Sequence, residues 1–168
     1  SMEKHEELRG LSRMASLEKI LEWGDMYMTE AEKLHWSDVK NNWYVELISN
    51  LKPVDVLPGA LSFMRQVREA GMKIALASAS RSARQVLITT QLETYFDAII
   101  DGHSTRKAIP DPECFILASQ AIGLQPFECL VFEDAALGVL AGLSGGFQVV
   151  GIGNPDYLPK AHLVISGF

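Results

Sequence analysis

From Ala60 onward the chain alternates single amphipathic helices with short apolar runs, and this rhythm limits the folds open to it. Strands joined through single helices cross over in the right-handed sense and lie parallel, so an α/β domain is expected. The pattern predicts helices over Leu61–Ala70, Arg81–Thr90, Glu113–Ile122 and Ala135–Leu143. Strands are expected at Lys73–Ala77, Ala98–Ile100, Cys129–Phe132, Gln148–Ile152 and Leu163–Ile165. Gly71, Gly123 and the Gly145-Gly146 pair close three of the helices, as glycine after a helix usually does.

The first part of the chain has a different texture, with helical periodicity only. Leu17, Ile20, Leu21, Trp23 and Gly24 define one short amphipathic segment. A second starts from a cap at Thr29, with Glu32 at the capping-box position, and runs through Leu34, Trp36, Val39, Trp43 and Tyr44 to Leu47 and Ile48. Trp23, Trp36, Trp43 and Tyr44 read as packing residues of these helices. Asn50–Gly59, with Pro53 and Pro58, breaks the pattern as a hinge or linker. A small helical module joined to a parallel α/β domain follows, in a chain of 168 residues that can bury one good core.

Composition narrows the function classes. The net charge of −6 and the lack of a basic run argue against nucleic acid. No stretch approaches the ~20 apolar residues of a membrane span, and the charged start (Glu3, Lys4, His5, Glu6, Glu7) does not resemble a signal region. Ser1-Met2 reads as a remnant outside the fold. Cys114 and Cys129 are far apart and lack metal-ligand spacing, so both read as buried, reduced packing residues, which fits the cytoplasm.

Two places carry chemistry. Cys129-Leu130-Val131-Phe132 ends in the adjacent carboxylates Glu133 and Asp134, just before a helix. Ligands of open α/β sheets bind beyond the carboxyl ends of the strands, where a carboxylate pair suits a hard cation such as Mg²⁺. The same acids would also favour a helix N-terminus by charge alone. Ser78 follows the strand Lys73–Ala77 ahead of another helix, where a hydroxyl and free N–H groups suit a phosphate; Ser78 or Ser80 capping the helix is the plainer alternative. Lys107 to Phe115, with Pro110 and Pro112, reads as an extended loop leading into a helix. Arg13, Ser16 and Lys40 belong by default to a solvated helical face, and Gly151-Ile152-Gly153-Asn154-Pro155 is a turn rather than a dinucleotide fingerprint.

Three segments together carry a resemblance: Ile74 to Arg81, Pro110 to Phe115, and Val131 to Gly138. They resemble the second, third and fourth motifs of the haloacid dehalogenase superfamily. Gly10–Arg13, Ser16–Leu21 and Lys40–Tyr44 resemble the helical cap of its beta-phosphoglucomutase-like members. The similarity spans roughly residues 7–166.

The resemblance implies a parallel Rossmann-like sheet with a small helical cap: a partial cap over 1–52 and a core over 53–168. It implies that Ser78, Ala79 and Lys107 bind the transferring phosphoryl group, and that Glu133 and Asp134 help hold Mg²⁺. Arg13, Ser80 and Ser82 would bind a distal phosphate, with Ser82 where the family commonly has Asn. Ser16, Lys40 and Arg81 would complete the contacts to a hexose phosphate. The family reaction converts beta-glucose 1-phosphate to glucose 6-phosphate through an aspartyl-phosphate.

Two departures bear on activity. No Asp-x-Asp sequence, which supplies the family's nucleophile and acid/base, occurs in the 168 residues, and Ile109 stands where the family has Lys. The resemblance therefore implies a core lacking its first, central strand, weak or absent Mg²⁺ binding, and no unaided catalysis. A non-catalytic phosphosugar-binding protein, or a sugar phosphatase, is the alternative. The gap between Lys73–Ala77 and Cys129–Phe132 would be closed by a segment from another chain, as in a homo-oligomer or strand-exchanged assembly, by direct pairing of the two flanking strands, or by further residues.

Overall fold

A computed structural model describes residue 4 and residues 7–168, and among these described residues six helices of seven residues or more and five strands make up the fold. Ser1-Met2 and the charged residues Glu3, His5 and Glu6 lie outside the described residues.

Helix α1 (Arg13–Trp23) starts earlier than periodicity suggested. The Ser12 hydroxyl accepts the Ala15 N–H and caps it, so a polar turn without apolar spacing is helical. Helix α2 (Glu30–Ser49) begins on the expected capping box: Glu32 N–H donates to the Thr29 hydroxyl, and Thr29 N–H donates to the Glu32 carboxylate. The linker then holds two tight turns, Pro53–Asp55 and one at Pro58 and Gly59 that the Ala60 N–H closes onto the Leu57 carbonyl.

Beyond it the order is α3 (Ala60–Glu69), β1 (Ala75–Ala77), α4 (Ala83–Thr89), β2 (Ala98–Ile100), α5 (Glu113–Ala121), β3 (Leu130–Glu133), α6 (Ala136–Ser144), β4 (Gln148–Ile152) and β5 (Leu163–Ile165). β2, β4 and β5 fall on their expected residues. Helix α4 starts at Ala83 rather than Arg81, because residues 79–82 are taken up by a serine turn described below.

All pairings are parallel. β1 pairs with β2 (Ala75 opposite Ala98), and β3 pairs with β4, which pairs with β5. The sheet expected as one is therefore two ladders among the described residues, and β1 does not pair with β3. Direct pairing of these two strands, one of the three expected ways to close the gap, is not how they meet. β4, flanked on both sides, buries three consecutive residues, whereas β1 is half-buried along its length.

Helix α5 ties the ladders together. It packs on β1 and β2, and its Cys114 and Phe115 enter a buried cluster with Val131 of β3, Val139 and Ala141 of α6, and Val149 of β4. On the other side, Phe63 of α3 meets Phe132 of β3 edge-on at 5.2 Å and stacks on Phe168 at 5.0 Å. Such ring pairs add to the burial of their apolar area.

Two packing expectations are corrected. Trp36 and Trp43 are 49% and 63% exposed, and Tyr44 is exposed too: the helical spacing is present, but no described element covers that face. Trp23 is half-buried beneath the Lys4 and Lys19 ammonium groups. Cys114 is buried as expected and its thiol is pushed up by burial, while Cys129 is only half-buried; both are free. Among the described residues no helix is long and apolar enough to cross a membrane.

Candidate functional site

The serine turn after β1 is built from its own hydroxyls. Ser78 N–H donates to the Ile100 carbonyl at 2.9 Å, extending the β1–β2 ladder by one step. Ser80 N–H then donates to the Ser78 hydroxyl, and Ser82 N–H to the Ser80 hydroxyl, both at 3.2 Å. Neither Ser78 nor Ser80 caps α4 directly; each stitches the turn two residues on, as short hydroxyl side chains do. The N–H groups of Ala79 and Arg81 are left without a hydrogen-bond partner among the described residues. Two unpartnered amides on one turn make a concavity that favours an anion.

Asp101 and Gly102, at the end of β2, complete this corner and were not singled out from the sequence. Gly102 N–H donates to the Ser80 carbonyl, and a Cβ on Gly102 would fall on the Ala79 carbonyl oxygen and 2.9 Å from Arg81 N. The Asp101 carboxylate accepts the His103 N–H. The available signal was a glycine just after a strand, which often marks a close backbone approach.

At the end of β3 the two acids are unlike each other. Glu133 turns inward and its Oε1 accepts the N–H groups of Asp134 (3.2 Å) and Ala135 (3.1 Å). Burial raises its pKa to about 7, with the Asp134 charge adding to the rise and the Ala135 N–H opposing it. Asp134 points outward and forms an ion pair with Arg9. An open cavity of about 340 Å³ lies beside this pair, with Ile152–Asn154 and Tyr157 in its wall.

The donor set does not fit a hard cation as it stands. Among the described residues no three His, Cys, Asp or Glu side chains come together to hold a metal. One Glu133 oxygen is taken by backbone donors, and Asp134 is held by a guanidinium. Sharing with substrate phosphate is the usual remedy for such a short ligand set.

Lys107 is directed elsewhere. Its ammonium sits 3.0 Å from Asp111, which raises the Lys107 pKa and lowers that of Asp111, and the side chain is 65% exposed. The loop holding it is a turn, not the expected extended segment: Asp111 N–H donates to the Ala108 carbonyl at 3.0 Å, and the Ile109–Pro110 peptide is cis. Ile109 packs against the buried cluster rather than facing solvent.

Arg13, Ser16 and Lys40 lie on the helical pair. Arg13 donates to the Asn41 side chain at 2.6 Å, and no described contact joins these three to residues 78–82. Lys40 and Arg81 are exposed. The helical part touches the core where the Gln85 side chain donates to the Ser49 hydroxyl, and where Arg9 and Gly10 meet the turn after β3.

A family model described as haloacid dehalogenase-like hydrolase matches residues 4–146. The chain is 38% identical to a beta-phosphoglucomutase of Bacillus subtilis over 163 residues, covering 96% of this chain and 72% of that protein. It is 36% identical over 99 residues to a beta-phosphoglucomutase of Mycobacterium tuberculosis, a match covering 56% of this chain and 38% of that protein. Among solved structures, a beta-phosphoglucomutase from Clostridium difficile superposes with a TM-score of 0.90 at 37% identity, over 99% of this chain and 76% of that one.

Proposed function

Because this chain belongs to the haloacid dehalogenase-like hydrolases, we propose that its site is a beta-phosphoglucomutase-type phosphosugar site. The observation that carries the reading is the pairing of an amide-lined serine turn after β1 with a carboxylate pair after β3, each at the carboxyl end of its parallel ladder. Ser78 and Ala79 receive a phosphoryl group, and Ser80 belongs with the distal phosphate. Arg13, Ser16, Lys40, Arg81 and Ser82 belong to the distal, sugar-facing side. The names of the Bacillus and Clostridium relatives support a glucose phosphate as the ligand class.

These 168 residues, taken by themselves, bind such a ligand without turning it over. No Asp-x-Asp is present to supply a carboxylate nucleophile and its acid/base partner, and Ile109 cannot neutralise phosphate charge. Loss of a covalent nucleophile costs about a millionfold in turnover in a well-studied protease. A sugar phosphatase reading needs the same absent Asp.

Calorimetric titration with glucose 6-phosphate tests the binding half. Saturable binding that is lost in Arg13→Ala is expected; no heat of binding at millimolar ligand contradicts the reading.

A further inference from the structure

Helix α2 (Glu30–Ser49) has two unlike faces. One, with Ser37 and Ile48 buried, lies on the rest of the chain. The other carries Trp36, Lys40, Trp43 and Leu47, all exposed, with Leu47 at 69%. Their spacing of four, three and four residues is that of a heptad seam, with Trp36 and Trp43 at d and Lys40 and Leu47 at a. The ring contact of Trp36 is with its own neighbour His35, at 5.4 Å. The acids of α2 (Glu30, Glu32, Asp38 and Glu46) all stand off this seam, although the chain carries a net charge of −6. A seam cleared of carboxylates on an acidic chain suits a copy of itself.

The seam is self-complementary in one register. A second α2 laid antiparallel, with the two-fold axis between Asn41 and Asn42, sets Trp36 against Leu47 and Lys40 against Trp43, each twice. Sliding by one heptad sets Trp36 beyond the end of the other helix, or Leu47 against Thr29. A parallel pair sets Lys40 of one copy on Lys40 of the other. A lysine over an indole is a contact this chain already makes, Lys4 over Trp23 at 5.0 Å. A single lysine at an a position fixes register at a cost in stability, its stem in the seam and its ammonium at the edge. With Tyr44 beside them, these side chains give the pair about 1,000 Å² to bury, the lower bound of a specific interface. We infer that this seam is the interface of a weak antiparallel homodimer. The inference rests on the spacing and exposure of four side chains and not on the phosphosugar reading.

Sedimentation velocity of the full chain from about 1 to about 300 µM tests it, the range in which an interface of this size associates. The average mass should rise from one chain toward two and stop there. Leu47→Gln, which removes the apolar partner of Trp36 in both directions and keeps a good helix former, should weaken association by about tenfold or more. Lys40→Leu, which removes the polar layer, should strengthen it by about tenfold or more. Both positions are exposed, so the unfolding midpoint of the separate chains should hold. A chain that stays single throughout overturns the inference, whatever it does with glucose 6-phosphate. So does association that neither substitution changes, or growth past two copies through the open strand edges.

Discussion

The carboxyl of Glu133 lies over the backbone of Gly138, in the space a side chain at 138 would fill. The first turn of α6 is thus open on one side so that Glu133 can fold back onto the N–H groups of Asp134 and Ala135. Gly138→Ala should push the carboxyl out of that place. Because what must move is the far end of a flexible side chain, the cost should be about 0.5–1.5 kcal/mol, read as a shift in the urea midpoint at unchanged slope.

Glu133 gives the chain a pH signature. Its pKa rises from the usual carboxyl range to about 7 on folding, so the folded state holds its proton more tightly than the unfolded chain does. Stability from this group is complete at low pH, where both states are protonated, and is lost as pH rises from the unfolded value through about 7. The loss amounts to about 3 kcal/mol, at one pKa unit per 1.36 kcal/mol. Glu133→Gln keeps an acceptor for the two N–H groups and should flatten that decline. Urea unfolding at pH 5 and pH 8 checks it; equal slopes with pH in the two chains would contradict the burial of an ionisable carboxyl here.

Gly102 is a harder constraint than Gly138, because what a Cβ would strike is backbone: the Ala79 carbonyl and the Arg81 amide. No rotamer change relieves it. Gly102→Ala should distort the serine turn and weaken glucose 6-phosphate binding at least tenfold by calorimetry, with a stability loss of about 1–3 kcal/mol.

Lys107→Ala should be mild. Its ammonium is paired with Asp111 on an exposed turn, a contact worth about 1 kcal/mol or less. Glucose 6-phosphate affinity should change by less than about twofold, since that is all a screened charge directed elsewhere contributes. A tenfold loss would return Lys107 to the phosphate.

The alternation of helix and strand after Ala60 was legible because each apolar run is short and three of the four helices end on a glycine. Glu133 and Asp134 were legible because they end a strand, although their different roles were not: one faces backbone amides and the other Arg9, a residue 125 positions away. The lone Arg9 gave no local signal. Helix α1 began early because a serine cap, not apolar spacing, starts it. Trp36 and Trp43 show the converse: spacing marks a helix face, but only another element can bury it. The turn at Ala108–Asp111 escaped the reading of Pro110 and Pro112 as extended, since proline fixes φ without fixing the direction of the chain.

The most direct measurement is phosphorus NMR of the purified 168-residue chain with beta-glucose 1-phosphate and Mg²⁺. A ligand resonance that shifts and broadens saturably is expected, with no glucose 6-phosphate or inorganic phosphate accumulating. Steady conversion to either product by this chain alone would contradict it.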